Sequence, residues 1–377
     1  MRVALVSDCY LPRLGGIEVQ VAELAEQLRR RGHTVRVVTA TADPVDEPAS
    51  PAPAHVLRMP PPVPLGVPVN PWAGPALHRV LAGADVVHIH LGVLAPFAAL
   101  AARQAVRLGR PLVLTWHSMV GAGPITRSVA APWRRWVAAG AVPTAVSVAA
   151  AAELADVLGM PSVQVLPDGL DRSSWRPDSP AAVRARAGGA GPPRLVTAMR
   201  FAARKRPGQL LGLVHRVRGG LPQHRRPRLQ IVGDGPWWPA VAKLVRHTGC
   251  SSWVDLPGRV SRPQLREHYR SADLYVSPGR KEAFGLAALE AAASGLPVVG
   301  YAGTGVADVV RQGTGSLVGD DAHLVALLQD LLAHPAELER VRTVAHDRAR
   351  SPQGWASDWD QVGRATESAY ARAGAAT

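Results

Sequence analysis

The sequence predicts an α/β protein with two domains, each built around a parallel β-sheet. A first strand, Val3–Ser7, leads through a turn with two glycines into a helix over about Ile17–Arg31, which a second strand, Val35–Thr39, follows. This order is a βαβ unit, whose two strands run parallel. The order strand, helix, strand recurs around Ser277–Gly300, and 377 residues are enough for two domains with separate cores.

The other elements follow in order along the chain. Short apolar runs rich in β-branched residues predict strands, and periodic apolar or alanine-rich segments predict helices. The predicted strands are His55–Arg58, Asp85–Leu91, Pro111–His117, Thr144–Val148, Val163–Leu166, Leu195–Met199, Leu229–Val232, Val254–Leu256, Asp273–Val276 and Leu296–Gly300. The predicted helices include one that ends near Arg107, and Leu286–Ala293, Ala322–Leu332 and Ala336–Arg348. The proline-rich stretch Asp43–Pro75 predicts an extended loop.

The amino-acid composition is typical of a globular protein and indicates which classes of partner it binds. The chain is 47% hydrophobic and 19% charged, and no apolar run reaches the roughly 18 residues that a membrane-spanning helix needs. The net charge of +14 favours anionic partners, which are nucleotide diphosphates, nucleic acid or an anionic membrane surface. Only three of the 43 basic residues are lysines, so GC-rich coding of an actinobacterial type is a second source of the charge. No basic recognition helix or aromatic-basic RNA motif is visible, and we expect no nucleic-acid partner.

Cysteine use and the N-terminal sequence bear on the compartment. Cys9 and Cys250 are the only cysteines, and they have neither metal-ligand spacing nor a disulfide-scaffold count. The first residues, MRVALVSD, enter a strand pattern without a basic leader and cleavage site. We therefore expect a cytoplasmic protein.

The most informative stretch is Ser277–Gly300, which carries two carboxylates eight positions apart, Glu282 and Glu290. Between them, Gly285 opens a predicted helix. A helix N-terminus presents unpaired N–H groups and the positive end of a dipole, and it can therefore seat a phosphate. Glu290 lies about two turns further along the helix. One carboxylate is then placed to hold a sugar hydroxyl and the other a ribose hydroxyl, an arrangement that suits a nucleotide-sugar.

Glu282–Ala291 resembles the E-x7-E motif of the family-4 retaining glycosyltransferases, because it matches the pattern E-x-F-G-L-x-x-L-E-A at every position. The resemblance covers essentially the whole chain, and it implies a helix at Val306–Val310, after the donor site, and a C-terminal helix at Trp355–Ala373. It implies the GT-B fold, in which two Rossmann-like domains face each other across a cleft. It also implies metal-independent transfer with front-face attack, without any cofactor, and no D-x-D motif is evident near the predicted donor pocket.

In the second domain the resemblance implies a role for each matching residue. Arg200 and Lys205 match the family's R-x4-K, whose cations hold the donor diphosphate together with the Gly285-Leu286 backbone. Fixed cations stabilise the charge that the leaving nucleotide gains. Glu290 would hold the ribose, Glu282 the donor sugar, and Arg259 and Val260 would edge the base. Met199 and Arg206-Pro207 replace residues that are usually glycine.

In the first domain the glycine pair resembles the family's N-terminal loop, in which Gly16 would admit the diphosphate or the acceptor. His117, at the end of a predicted strand, resembles the histidine that the family places near the donor sugar. Pro167–Asp171 resembles the family's P-N-G-V-D, with Asp168 in place of asparagine. His88 and His90 alternate along their strand and are interpreted as packing or sheet-edge residues.

These matches predict domain boundaries. Residues 1–171, with a crossing helix at 355–377, form the acceptor-side domain, and residues 172–354 form the nucleotide-sugar donor domain. Pro132–Trp136 mixes tryptophan with arginine and indicates either peripheral contact with the inner membrane face or side chains lying over the protein surface.

The sequence predicts a retaining hexosyltransferase that takes a hexose from a UDP- or GDP-linked donor to an acceptor hydroxyl. The base, the sugar and the acceptor (a small metabolite, a glycan or a lipid) stay open. Two alternatives remain: another GT-B enzyme, such as an epimerase or phosphorylase, and a nucleotide-sugar binding protein without transfer activity.

Overall fold

The computed structural model of the chain describes residues 1–13, 15–43, 55–61, 70–92, 94–121, 123–177, 191–310, 315–351 and 357–375. The chain divides into two compact units. Unit 1 contains Met1–Gly169 and Ala356–Thr377, and unit 2 contains Leu170–Trp355. Each unit holds one parallel sheet flanked by helices, which confirms the predicted fold class.

Unit 1 is built on a parallel sheet with the strand order β3-β2-β1-β4-β5-β6-β7. Its strands are β1 (Arg2–Ser7), β2 (Thr34–Thr39), β3 (Val56–Arg58), β4 (Val86–Leu91), β5 (Leu112–Trp116), β6 (Val142–Ala145) and β7 (Gln164–Val165). Its helices are α1 (Gly16–Arg30), α2 (Gly74–Ala82), α3 (Pro96–Arg107), α4 (Pro124–Ala138) and α5 (Val148–Leu158). The central strand β1 pairs with β2, where Arg2 lies opposite Thr34, and with β4, where Val3 lies opposite Val86.

Unit 2 contains a parallel sheet with the order β10-β9-β8-β11-β12-β13. Its strands are β8 (Arg194–Ala198), β9 (Arg228–Val232), β10 (Val254–Gly258), β11 (Leu274–Val276), β12 (Val298–Tyr301) and β13 (Gly315–Val318). Its helices are α6 (Arg172–Trp175), α7 (Pro207–Gly219), α8 (Trp238–His247), α9 (Arg262–Arg270), α10 (Leu286–Ala293), α11 (Val306–Val310), α12 (Asp321–Ala333) and α13 (Pro335–Arg350). A last helix, α14 (Trp359–Arg372), returns to unit 1.

Helix α1 shows why the apolar pattern gives this fold. Val21, Leu24 and Leu28, which the sequence places on one face, are buried in the unit 1 core with β1 and β2. Burying apolar side chains is the main favourable term in folding. Tyr370 of α14 belongs to the same core. The guanidinium of Arg31 also donates two hydrogen bonds to the Glu367 carboxylate, at 3.0 and 2.7 Å, and these bonds join the end of α1 to α14.

Three predictions about local structure are wrong. The strand predicted over Thr144–Val148 ends at Ala145, because the Ser147 hydroxyl accepts a hydrogen bond from the N–H of Ala150 at 3.1 Å and caps α5. The proline-rich stretch, predicted as a loop up to Pro75, already enters α2 at Gly74. Pro75 stands at the start of this helix, where the missing N–H of a proline costs nothing. Residues 44–54 and 62–69 of that stretch lie outside the described residues.

The third correction concerns the segment that mixes tryptophan with arginine. Trp133 and Trp136 lie on α4, and only 8% and 5% of their surfaces are exposed. The rings of Trp133 and Trp116 meet edge to face, with centroids 5.4 Å apart. Both tryptophan side chains therefore belong to the interior of unit 1. Among the described residues, no helix has the length and apolar character needed to cross a membrane.

Candidate functional site

The predicted donor-binding residues of unit 2 gather at one edge of its sheet. Parallel strands all end at the same edge, and ligands of α/β proteins collect there. The segments that follow β8, β9, β10 and β11 carry the residues predicted from sequence. These are Arg200 and Lys205 after β8, Arg259 and Val260 after β10, and Glu282 after β11, while the Gly233–Gly235 turn follows β9.

Lys205 and Glu282 meet at this edge although 77 residues separate them in sequence. The Lys205 ammonium donates a hydrogen bond to Oε2 of Glu282. The side chains are only 21% and 14% exposed, so the pair is largely withdrawn from water. An ammonium has three N–H donors. One bond to Glu282 therefore orients the Lys205 head group and leaves donors for an anionic ligand.

Helix α10 begins at a glycine in the left-handed region. Gly285 has φ 90° and ψ 52°, a backbone conformation that residues other than glycine rarely adopt. A Cβ atom at this position would also lie 2.8 Å from Cγ2 of Val306. The first turn of α10, which starts at Leu286, has no acidic residue to occupy its N–H groups. The start of α10 is the position at which the sequence predicts an anion seat.

Glu290 lies on α10 and is 7% exposed. Its Oε1 atom is 3.6 Å from a guanidinium nitrogen of Arg262, the first residue of α9. The Arg262 guanidinium also lies 5.8 Å from the ring centroid of Trp175. Burial, then the negative charge of Glu290, raises the pKa of the Tyr269 phenol well above its usual range, so this hydroxyl stays neutral. A largely buried carboxylate facing a cation is suited to bind hydroxyl groups.

Two other parts of the edge are less enclosed. Arg200 is exposed, and its Cγ atom lies 3.1 Å from the position of a Cβ on Gly235. Gly233 and Gly235 both have positive φ, and a Cβ on either would collide with the backbone of Met199 or Phe201. This close approach requires the two glycines of the turn. The other two predicted residues, Arg259 and Val260, lie just beyond β10 and are exposed and half-buried, respectively.

Sequence reasoning missed a cluster beside Lys205. Arg206 donates hydrogen bonds to both carboxylate oxygens of Asp321, at 3.1 and 2.7 Å. Arg280 donates a further bond to the same carboxylate at 2.9 Å. These hydrogen bonds, with that of Arg206 the largest cause, hold the pKa of Asp321 well below its usual range. The one signal in the sequence was the arginine that stands where the family has glycine.

Gly16 is the first residue of α1, at the carboxyl end of β1. A Cβ at this position would meet no atom within 4 Å, so the packing of unit 1 does not itself require this glycine. Gly15 differs, because a Cβ there would lie 2.3 Å from Oε2 of Glu18. The Glu18 carboxylate folds back over the start of α1 and pairs with Arg13 at 3.3 Å.

His117 follows β5 and is joined to His90 of β4. Its Nε2 atom lies 2.9 Å from Nδ1 of His90, and its Nδ1 atom lies 3.3 Å from Oδ1 of Asp168. The second contact is an ion-pair distance without the alignment of a hydrogen bond. His88 is fully buried between the Tyr370 hydroxyl at 3.0 Å and the Thr115 hydroxyl at 2.7 Å. The interpretation as packing residues holds for His88, but His90 belongs to the surroundings of His117.

Asp168 is held in place by its neighbour. The Gln20 side chain makes two hydrogen bonds to the backbone of Gly169, donating to its oxygen at 2.9 Å and accepting from its nitrogen at 2.8 Å. Trp359 packs so closely on Gly169 that a Cβ there would lie 2.4 Å from the indole. A cavity of about 20 Å³, large enough for about one water molecule, is lined by these residues, His90 and His117.

Carboxylates and histidines do not gather into a metal site in the part of the chain that the structure describes. No group of three or more His, Cys, Asp or Glu side chains there is arranged to hold a metal ion. A D-x-D triplet occurs at Asp358–Asp360, away from the donor residues in sequence. Asp358 is the N-cap of α14, where its carboxylate accepts from the N–H of Asp360 at 2.9 Å.

Comparison with known proteins gives the family. The model for Glycosyltransferase Family 4 matches residues 14–174, and the model for Glycosyl transferases group 1 matches residues 184–348. The GDP-mannose-dependent alpha-(1-6)-phosphatidylinositol monomannoside mannosyltransferase of Mycobacterium tuberculosis is 31% identical over 85% of this chain and 85% of its own length. The D-inositol 3-phosphate glycosyltransferase of Kineococcus radiotolerans is 32% identical over 95% and 91%.

Among solved structures, the sucrose-phosphate synthase of Thermosynechococcus elongatus superposes with a TM-score of 0.76. The two chains are 21% identical, and the match covers 100% of each. At that identity the likeness concerns the fold, which is GT-B. The relatives, the two family models and the paired parallel-sheet units agree: the chain belongs to the family-4 glycosyltransferases and is a glycosyltransferase that uses a nucleotide-sugar donor.

Proposed function

We propose that this enzyme transfers a hexose, with retention and without a metal ion, from a UDP- or GDP-hexose to an acceptor hydroxyl. One observation carries the proposal. The Lys205–Glu282 pair, the Gly285 start of α10 and the buried Glu290 lie on segments that meet at the carboxyl edge of the unit 2 sheet. A cation, a helix N-terminus and a buried carboxylate are the groups that a diphosphate followed by a ribose requires.

Each residue takes a role in this proposal. Arg200, Lys205 and the N–H groups at Gly285-Leu286 stabilise the negative charge that gathers on the leaving diphosphate. Glu290 accepts hydrogen bonds from the ribose hydroxyls, and Glu282 contacts the donor sugar while it orients Lys205.

Further groups complete the proposal. Arg259 and Val260 edge the base. Unit 1 supplies the acceptor-side groups, with His117 as a positioning group and Gly16 as a point of close approach. A phosphate oxygen of the leaving group assists the front-face attack of the acceptor hydroxyl.

The activities of two relatives guide the choice of acceptor. One acts on a phosphatidylinositol mannoside and the other on an inositol phosphate. We therefore place inositol-containing acceptors first, both water-soluble and lipid-linked. Transfer to a lipid would bring the enzyme to a membrane surface, and such contact would rest on groups other than the buried Trp133 and Trp136.

Calorimetric titration of UDP and GDP, with EDTA present, tests the donor site. Glu290→Gln keeps the size of the side chain but removes the charge, and Lys205→Ala removes the cation. We expect one nucleotide to bind the wild type, and each variant to weaken it by about 10- to 100-fold, the cost of one charge-assisted contact. Glu337→Gln is the matched control, because Glu337 forms an exposed ion pair with Arg340 on α13.

Equal affinities in Lys205→Ala, Glu290→Gln and wild type would contradict the site. Nucleotide binding that disappears in EDTA would contradict the metal-independent proposal. Product stereochemistry, read by NMR from the anomeric proton after transfer to an inositol acceptor, tests retention. Isomerisation of the donor without any acceptor, or a requirement for inorganic phosphate, would instead favour an epimerase or a phosphorylase.

A further inference from the structure

Arg206 adopts a backbone conformation that favours glycine. Its φ and ψ angles are 57° and 41°, and it is the one residue other than glycine with positive φ in the described ranges. The left-handed region brings Cβ too close to the backbone, so a side chain there must be held by its surroundings. The family pattern has glycine here. The arginine side chain must therefore make contacts that offset the strain.

Those contacts join three segments of unit 2. Arg206 immediately follows the 3-10 turn Ala203–Lys205 and precedes α7. Its guanidinium pairs with both oxygens of Asp321, the first residue of α12, at 3.1 and 2.7 Å. It also donates to the carbonyl oxygen of Pro278, in the loop after β11, at 3.2 Å. A bidentate guanidinium–carboxylate pair fixes orientation as well as distance.

A second set of contacts ties the same loop to Asp321. Arg280 donates to Oδ1 of Asp321 at 2.9 Å, and its guanidinium lies 5.0 Å from the ring centroid of Tyr301. The Tyr301 hydroxyl donates to Oδ1 at 2.5 Å. One carboxylate thus receives hydrogen bonds from two arginines and a tyrosine.

Two members of this cluster adjoin two groups of the proposed donor site in sequence. Lys205 directly precedes Arg206, and Glu282 lies two residues beyond Arg280. The backbone of Glu282 is fixed on its other side, where its oxygen accepts from the N–H of Gly305 at 2.7 Å. The contact between Lys205 and Glu282 therefore depends on the spacing of the two segments that Asp321 joins.

We propose that Arg206 and Asp321 are positioning residues of the donor site, which hold Lys205 and Glu282 at the spacing that binds the nucleotide diphosphate. The inference rests on the proposed function of Lys205. It predicts that Arg206 affects the nucleotide through Lys205 and does not contact it directly. Glycine at 206 would remove the backbone strain but also the link between the segments, and lysine could not form the bidentate pair.

The experiment measures the Kd of whichever of UDP and GDP binds the wild type more tightly. We expect Arg206→Gly, Arg206→Lys and Asp321→Asn each to raise this Kd about tenfold, within the range of a broken polar network. The Kd of the double variant Arg206→Gly/Asp321→Asn should not exceed the higher Kd of the two single variants, because both changes break the same contact. Arg218→Gln is the matched control, because Arg218 is also half-buried, stacks on Trp253 and lies far along α7 from Lys205.

Combining Arg206→Gly with Lys205→Ala tests whether Arg206 acts by positioning Lys205, by a merely structural role or by direct contact with the nucleotide. If Arg206 acts through Lys205, Arg206→Gly should leave the Kd of Lys205→Ala unchanged within about twofold. A further tenfold loss in that background would overturn the proposal, and so would an Arg206→Gly enzyme with wild-type affinity. Folding is checked separately, because Arg206→Gly and Arg218→Gln should both keep the wild-type circular dichroism spectrum.

Failure of the proposed function gives a different result. In that case Lys205→Ala itself would bind the nucleotide as tightly as the wild type does. If Lys205→Ala weakens binding but Arg206→Gly and Asp321→Asn do not, the donor site stands and the positioning role is wrong.

Discussion

The Nδ1 atom of His90 lies 2.9 Å from the Nε2 atom of His117, so one imidazole donates a hydrogen bond to the other. The direction of the bond follows from the surroundings. Nδ1 of His117 faces the Asp168 carboxylate at 3.3 Å, which favours a proton on that nitrogen. Nε2 of His117 is then the acceptor, and His90 donates from Nδ1. Burial, then the charges of the other two histidines, lowers the pKa of His90 well below its usual range, and His90 is neutral.

This arrangement predicts that replacing His90 by leucine slows sugar transfer, because Nε2 of His117 loses its buried donor. We expect a fall in kcat of about 10-fold, from the 1–3 kcal/mol cost of an unsatisfied buried polar atom. His90→Asn should restore much of the rate, since its amide can stand near the original Nδ1. Long-range ¹H–¹⁵N NMR should show the Nδ1–H tautomer of His117 in the wild type. An Nε2–H tautomer would contradict the assignment, and His78→Leu on α2 is the control.

His88 predicts how the stability of unit 1 depends on pH. Burial, then the charge of His117, lowers the pKa of His88 to about 3, whereas an unfolded histidine titrates near 6.5. Below about pH 6.5 His88 therefore binds a proton in the unfolded chain but stays unprotonated in the folded chain. The stabilising contribution of neutral His88 is complete above that pH and is lost progressively as the pH falls towards 3.

The measurement compares urea unfolding of the wild type and His88→Gln between pH 7 and 5. The difference in the free energy of unfolding should shrink with a slope that approaches about 1.4 kcal/mol per pH unit. Asp8 works in the opposite sense, because burial raises its pKa to about 6, but both proteins carry it and its effect cancels. A difference in the free energy of unfolding that does not change with pH would show that the pKa of His88 in the folded protein is not lowered.

Local patterns in the sequence were enough to predict much of the fold. The helix Leu286–Ala293, which a glycine opens, is confirmed residue for residue. Apolar periodicity and glycine punctuation are local properties, and they decide where such elements begin and end. The strand that ends at Ala145 shows the limit, because a single hydroxyl, that of Ser147, starts the next helix inside an apolar run.

The site residues that sequence reasoning missed depend on contacts between distant parts of the chain. Asp321 is 115 residues from Arg206, and no pattern along the chain joins them. His90 and His117 are brought together by the pairing of β4 with β5, which places His90 opposite Thr115. The burial of Trp133 likewise depends on the position of Trp116 in the sheet. Spacing in sequence indicates residue types and edges, but tertiary packing decides which side chains touch.

Trp133 gives a test of its structural role. Because its ring packs on Trp116 and is 8% exposed, Trp133→Ala should lower the free energy of unfolding by about 3–5 kcal/mol, as large-to-small core substitutions do. Trp72, which is 59% exposed, is the control, and Trp72→Ala should change stability by less than about 1 kcal/mol. Sedimentation with anionic liposomes is measured beside it. A Trp133→Ala protein with wild-type stability but weakened liposome binding would support the surface role that the structure overturns.

Gly285 predicts a linked loss of stability and of nucleotide binding. In Gly285→Ala the alanine would have to adopt φ near 90°, and its Cβ would lie 2.8 Å from Cγ2 of Val306. Left-handed strain costs about 1–2 kcal/mol, and overpacking adds about 1–3 kcal/mol. Gly303→Ala is the matched control, because Gly303 has φ 74° but open space around its Cβ, so only the first cost applies.

Urea unfolding and nucleotide titration of the same proteins check this prediction. The double variant Gly285→Ala/Val306→Ala should relieve the clash but keep the backbone strain, and its nucleotide affinity should stay below that of wild type. If the start of α10 seats the diphosphate, Gly285→Ala should weaken UDP or GDP binding, whereas Gly303→Ala should not. A Gly285→Ala protein that is destabilised but binds the nucleotide with wild-type affinity would move the phosphate seat away from this helix.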